Sequence, residues 1–182
     1  MRVRTSALVT LAAAAVALGV TVPALATSAA PPTGIADAPG SGKSVVDWNR
    51  QLITILGTPG AQPATIHPTR SFAILQAAEY DAVVSITHAT PPYKTAVPAA
   101  ADARPDVAAD QAAHDVLAAL YPTTRAGADD LLRTQLAAVP DGEAEQDGVA
   151  VGQAAAAQLL SLRAADGATA TQIGRASCRE RV

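Results

Sequence analysis

The chain has 182 residues, of which 49% are hydrophobic, and it carries a net charge of −3 with a single cysteine. This length corresponds to about one domain, and an acidic chain lacks the basic surface that a nucleic-acid partner requires. The cysteine, Cys178, lies close to the C-terminus. Disulfides, thiolate catalysis and cysteine-ligated metals are therefore excluded over the rest of the chain.

The first predicted element is a secretion signal. Arg2 and Arg4 precede an apolar stretch over residues 7–22, and Ala24-Leu25-Ala26 supplies the small-x-small pattern of a signal peptidase site. We therefore predict a signal peptide over residues 1–26, cleaved after its last residue, and a secreted protein. A retained N-terminal anchor is the alternative. No later segment is long and apolar enough to cross a bilayer, so we expect no membrane association after cleavage.

Residues 27–44 form a predicted leader. The segment is rich in Ala, Pro, Gly and Ser and has no hydrophobic period, so we expect it to be disordered. Its end, Gly40-Ser-Gly-Lys-Ser44, is similar to part of a nucleotide-binding phosphate loop. That motif requires a preceding strand and a glycine at position 37, where this chain has Asp37. We interpret the segment as a linker.

The next part of the chain predicts an all-α domain. Apolar residues recur at helical spacing between segments that contain Pro, Gly and Asp, and no strand pattern is found. Asp106 is the expected N-cap of the third helix and Thr123 that of the fourth. We expect a helical bundle fragment over residues 45–171, whose alanine-rich helices bury little area each. The five predicted helices cover residues 45–56, 68–89, 107–120, 123–139 and 143–165.

One carboxylate interrupts the apolar face of the second helix. That face consists of Phe72, Leu75, Ala82, Val83 and Ile86. Glu79 lies seven residues after Phe72 and four before Val83, on the same face. A carboxylate there must reach solvent or find a donor. We expect it at the edge of the face; the alternative is a buried Glu79 paired with a donor, such as an arginine, from chain beyond this sequence.

The three histidines form no predicted metal site. His67, His88 and His114 lie on separate segments, and no two have the i, i+4 spacing of helical ligands. We interpret His114 as a core histidine on the apolar face of the third helix. No nucleophile with a positioned base can be assembled either, and Asp47 with Arg50 is interpreted as an ion pair. The sequence therefore predicts no catalytic, cofactor-binding or metal-ligating residue.

The C-terminal segment is interpreted as foreign to the gene. Residues 173–182 read as the translation of a common sequencing-adapter sequence, whose first two bases would also complete the codon of Gln172. We therefore expect the genuine polypeptide to end near Thr171 and set residues 172–182 aside. Without this tail and the expected signal, the chain loses five arginines and one glutamate and is more acidic.

Seven segments, in order along the chain, carry a family resemblance. They are Val46–Asn49, Thr58–Phe72, Ala77–Val83, Pro92–Tyr93, Ala112–Leu117, Leu120–Pro122 and Val149–Gln153. Together they resemble the N-terminal helical region of bacterial vanadium-dependent haloperoxidase-like proteins, within the phosphatidic acid phosphatase type 2 superfamily. Two positions depart from the pattern: Glu79 stands where an aliphatic residue is usual, and Val84 where Asn is usual.

The resemblance implies a mostly helical protein that holds vanadate in the second half of its chain. The superfamily pattern there is Lys-x6-Arg-Pro, then Pro-Ser-Gly-His, then Ser-Arg-x5-His. Lys94 and Arg104-Pro105 are similar to the first element, but the arginine comes ten residues after the lysine and too early in the chain. We interpret them as solvated loop charges. No residue of the vanadate site can therefore be carried over to this sequence.

The resemblance thus implies a scaffold that lacks its active site. We expect a C-terminal half of the same chain to be its partner, and vanadate to be the cofactor of the full-length protein but not of this fragment. Two alternatives stay open for the parent: a type 2 acid phosphatase, since phosphate and vanadate share geometry and charge, and a non-catalytic secreted helical binding protein. The oligomeric state is not predicted.

Overall fold

The structure, a computed structural model, describes residues 42–61 and 68–168, and within these ranges it is all-α. The five predicted helices are all present, and no strand occurs among them, which confirms the predicted fold class. The expected signal peptide, most of the leader, His67 and the tail from residue 169 lie outside the described residues. The helices are α1 (Lys43–Gly57), α2 (Pro68–Thr87), α3 (Pro105–Leu120), α4 (Arg125–Leu136) and α5 (Glu143–Arg163).

The predicted N-caps of α3 and α4 are both wrong, and proline explains each difference. Helix α3 begins at Pro105, so its N-cap is Arg104 and Asp106 lies in the first turn, where its carboxylate accepts the backbone N–H of Val107 at 3.0 Å. A proline at the first helical position loses no hydrogen bond and has a helical φ. Thr123, the predicted cap of α4, lies inside a 3-10 turn over Pro122–Thr124 that precedes the helix.

Helix α3 lies at the centre and contacts each of the other four helices. Trp48 and Leu52 of α1 are fully buried, in agreement with their predicted spacing, and Val116 and Leu117 of α3 are buried with them. Ser71 and Tyr121 join the start of α2 to the end of α3 through their hydroxyl groups, which are 2.7 Å apart.

Helix α2 buries a broader surface than its predicted face. Leu75 and Ala82 are buried as predicted, whereas Phe72, Val83 and Ile86 are only partly buried. Because α2 contacts α1, α3 and α5, a single apolar stripe underestimates the surface that it buries. Its other buried residues are Ser71, Ile74, Ala78, Glu79, Asp81, Val84 and Ser85.

Helices α3 and α5 approach each other closely at two glycines of α5. A Cβ atom added at Gly152 would lie 2.5 Å from the carbonyl oxygen of Ala108 and 3.0 Å from the backbone nitrogen of Ala112. At Gly148 it would lie 2.8 Å from the carbonyl oxygen of Arg104. The backbone N–H of Arg104 also donates to the carbonyl of Ala144 at 3.1 Å. The interface is therefore built by backbone approach over small residues.

Candidate functional site

Glu79 is the most unusual polar residue of the structure. Its side chain is 2% exposed, and one carboxyl oxygen accepts a hydrogen bond from Gln76 Nε2 at 3.1 Å. The other oxygen has no hydrogen-bond partner among the described residues. Burial, with a smaller contribution from the charge of Asp110, raises the pKa of Glu79 to about 8. The expectation of an exposed edge position is therefore wrong, because α2 is covered on several sides.

Asp110 of α3 is a second buried carboxyl group near Glu79. Through Oδ1 it accepts hydrogen bonds from Ser44 Oγ at 2.5 Å and from Trp48 Nε1 at 2.8 Å, which attach α1 to α3. Burial raises the pKa of Asp110, and these two hydrogen bonds oppose the rise. Asp110 was not predicted as a site residue, although it lies four positions before His114 and so on the predicted buried face of α3.

The chemistry of these two carboxyl groups is that of a buried acid pair. Burial and, to a smaller extent, the charge of Asp110 disfavour the ionised form of Glu79, so Glu79 retains its proton at neutral pH. A general acid must come within hydrogen-bond distance of its substrate. Glu79 and Asp110 are both buried beneath neighbouring helices. Asp110 joins α1 to α3 through Ser44 and Trp48, whereas the hydrogen bond that Glu79 accepts comes from its own helix.

His114 is a core residue of α3, as predicted, but it also has two acidic partners. Its Nδ1 lies 2.8 Å from Asp115 Oδ1, and its Nε2 lies 2.7 Å from Asp129 Oδ1 on α4. The ring packs edge-on against Trp48 with 6.4 Å between the ring centroids. Hydrogen bonding to Asp115 is the largest cause of a raised His114 pKa; burial opposes the rise and Asp129 adds to it.

Asp81 of α2 anchors the loop that follows the helix. This fully buried carboxylate accepts the backbone N–H groups of Tyr93, Lys94 and Thr95 at 2.6, 3.0 and 2.8 Å, together with the Thr95 hydroxyl at 3.0 Å. One turn later, Ser85 Oγ accepts the backbone N–H of Val97 at 3.1 Å. Four donors satisfy the carboxylate, so its role is to fix the loop against α2.

A cavity of about 390 Å3 opens at the end of α2. His88 lines it with a φ of 51°, a left-handed conformation in which histidine is found more often than bulkier residues. The other lining residues are mostly apolar and include Val84, Pro91, Pro92 and Val97. One imidazole beside an apolar recess could bind ligands of many classes, so this cavity does not indicate a specific ligand.

The two cations that are similar to a superfamily motif each have a partner close by in the sequence. Arg104 pairs with Asp106 through two guanidinium nitrogens, Nε and Nη2. Lys94 Nζ lies 5.3 Å from the centroid of the Tyr93 ring. The predicted ion pair of Asp47 with Arg50 is confirmed at 3.1 Å. Within residues 42–61 and 68–168, no group of three or more His, Cys, Asp or Glu side chains is arranged to hold a metal ion. No helix of these ranges is both long and apolar enough to cross a membrane.

Comparisons with protein-family models, with curated proteins and with solved structures find no match to this chain.

Proposed function

We propose that the described helices are the scaffold of a secreted vanadium-dependent haloperoxidase-like protein, whose oxyanion site is formed by chain beyond this sequence. The proposal starts from the sequence resemblance and is supported by what the resembling residues do in the fold. Three of these residues each join two parts of the described fold. Trp48 joins α1 to α3, Asp81 fixes the loop after α2, and Gly152 permits the approach of α5 to α3.

The pairing of arginines is the observation on which the scaffold role depends most. All arginines in the described ranges have an aspartate within ion-pair distance. The pairs are Arg50–Asp47, Arg70–Asp166, Arg104–Asp106, Arg125–Asp129, Arg133–Asp130 and Arg163–Asp166. An oxyanion site needs converging cations whose donors point at the ligand. Here carboxylates of the chain itself take those donors, which suits a scaffold.

The resemblance defines what the remainder of the parent would supply. There, lysine and arginine side chains would neutralise vanadate, one histidine would ligate it and another would exchange protons with the reacting groups. Bound vanadate would activate peroxide toward a halide. The helices of this chain would contribute a rigid support for that site, since positioned groups need a packed second layer behind them.

Vanadium NMR and a bromide oxidation assay test the proposal. We would compare this chain with the product of the uninterrupted gene, titrating each with vanadate and then adding peroxide, bromide and a phenol dye. We expect saturable vanadate binding and bromide-dependent dye oxidation for the longer product and neither for this chain. Saturable vanadate binding by this chain alone would contradict the scaffold role.

The same longer product separates the alternatives. Hydrolysis of a phosphate ester without any need for peroxide or bromide would identify an acid phosphatase, because the same cationic cradle fits phosphate. Absence of both activities, with the folded helices retained by circular dichroism, would favour a non-catalytic binding protein. Omission of bromide and omission of vanadate are the controls for the oxidation assay.

A further inference from the structure

The contact between α3 and α4 depends on the protonation of one histidine. Both ring nitrogens of His114 lie within hydrogen-bond distance of a carboxylate oxygen, at 2.8 Å to Asp115 and 2.7 Å to Asp129. An ionised carboxylate only accepts hydrogen bonds, so a ring that bonds to two of them must donate from both nitrogens. Only the imidazolium form can do so. In the neutral form, one nitrogen lone pair would face a carboxylate lone pair.

Helix α4 has few other attachments to the bundle. Ala128 is its one buried residue, and Leu131 and Leu132 are partly buried against the core. Gln135 donates to Asp47 of α1 over a long 3.3 Å. An element with so little buried apolar area opens locally at a small cost in free energy. A single charged contact is therefore a large share of what holds α4 in place.

We propose that His114 is a pH-dependent clasp: its imidazolium donates to one carboxylate on α3 and one on α4, and loss of one proton leaves a single N–H for two carboxylates, which loosens α4 while the other helices stay packed. The ionisable groups around the ring come from both helices. Helix α3 contributes Asp115, whose carboxylate also accepts a hydrogen bond from the Gln111 amide. Helix α4 contributes Asp129, which also pairs with Arg125 at 3.2 Å. Helix α1 contributes the edge of Trp48, which does not titrate.

The direction of the effect follows from linkage between protonation and folding. The folded pKa of His114 is raised above the ordinary value of 6.5. The stabilisation is therefore complete below 6.5 and is lost as the pH rises through the raised value. Asp129 acts at the other end of the range, because its hydrogen bond to His114 lowers its pKa and the contact is lost only when strong acid protonates it. The clasp is thus closed in mildly acidic conditions and opens as the pH rises through the raised pKa of His114.

Amide hydrogen exchange across pH 5 to 9 tests the proposal, with rates corrected for their intrinsic pH dependence. We expect the protection of α4 amides to fall by up to about tenfold per pH unit above the His114 transition, the slope for one proton. His114→Gln should remove the transition from α4, and amides of α5 provide the internal reference. His88→Asn is the matched control, since it removes an exposed imidazole and Asn tolerates a positive φ. The control should leave the α4 transition in place.

Replacing the buried His114 ring can disturb the packing around it, so a second variant at a more exposed position keeps the test decisive. Asp129→Asn alters a side chain that is 42% exposed and removes one of the two carboxylates. It should shift the α4 transition to lower pH. Nitrogen NMR of the imidazole should show both ring nitrogens protonated at pH 6 in the unaltered chain. A neutral His114 at that pH, or α4 protection that is unchanged by Asp129→Asn, would overturn the proposal.

Discussion

Helix α3 meets α5 and α4 in contrasting ways. Against α5, glycine and alanine allow the two backbones to touch, and the atoms nearest to a Cβ added at Gly148 or Gly152 are backbone atoms and side-chain carbons. Against α4, the contact is a histidine between two aspartates with little buried apolar area behind it. The strength of the α3–α5 contact therefore depends on shape, and the strength of the α3–α4 contact depends on pH.

This difference has a simple physical origin. Dispersion contacts between close backbones do not change with protonation, but they tolerate no added volume. Hydrogen bonds from an imidazolium tolerate small changes in nearby shape, but they weaken when the ring loses a proton. The α5 contact should therefore respond strongly to added atoms and weakly to pH, and the α4 contact should respond in the opposite way.

The largest expected effect comes from adding one methyl group between α3 and α5. In Gly152→Ala, the new Cβ would meet the Ala108 carbonyl at 2.5 Å and the Ala112 nitrogen at 3.0 Å, and neither backbone atom can rotate away. We expect the free energy of unfolding to fall by about 3 kcal/mol, the upper part of the range for overpacked sites. Urea denaturation followed by circular dichroism measures this loss.

Gly57→Ala is the matched control for that substitution. Nothing lies within 4 Å of a Cβ atom added there, and the residue is the last of α1. We expect a change between zero and a gain of about 1 kcal/mol, because alanine restricts the unfolded chain. Equal losses in Gly152→Ala and Gly57→Ala would show that the loss at Gly152 does not come from the close approach of α5 to α3.

The next effect concerns Glu79, whose burial makes the global stability of the bundle depend on pH. Its pKa rises from 4.5 to about 8 on folding, so the folded state binds the proton more tightly than the unfolded state. Stability therefore falls as the pH rises between these two values. We expect Glu79→Gln to raise the free energy of unfolding at pH 7 by up to about 3 kcal/mol and to change it little at pH 4. Urea denaturation at both pH values measures the difference.

Glu143→Gln is the control for Glu79→Gln, because Glu143 is exposed in the first turn of α5. Its removal should change the free energy of unfolding by less than about 0.5 kcal/mol. Glu79→Gln also separates the two pH effects of this molecule. It should flatten the global dependence and leave the local opening of α4 intact. A loss of the α4 transition in Glu79→Gln would mean that α4 merely reports global unfolding.

Features of the fold that depend on residues close together in the chain could be predicted from the sequence. The presence and approximate positions of the five helices and the burial of Trp48 and Leu52 depend on spacing within a few turns, and these predictions are confirmed. The cap at Asp106 was wrong because a neighbouring proline decides where that helix begins. Such errors are local and small.

The polar contacts were missed for a different reason. Asp110 meets Trp48 across 62 residues, and Glu79 becomes buried only because three helices surround α2. Periodicity within one helix gives the face of a residue but not the partner that the bundle brings to it. His114 shows both sides of this limit: its core position was predicted from α3 alone, whereas Asp129 comes from the next helix.

The smallest expected effect compares two adjacent aspartates of α4. Asp130 pairs with Arg133 at 2.6 Å, but the two side chains are 70% and 71% exposed. Exposed pairs of this kind contribute roughly 0–1 kcal/mol, so Asp130→Asn should leave both the unfolding free energy and the α4 hydrogen exchange almost unchanged. Asp129→Asn, one residue earlier, should shift the α4 transition. If the two variants behave alike, then the net charge of α4, and not the contact with His114, holds the helix. The contrast between the two faces of α3 would then reduce to one of surface charge.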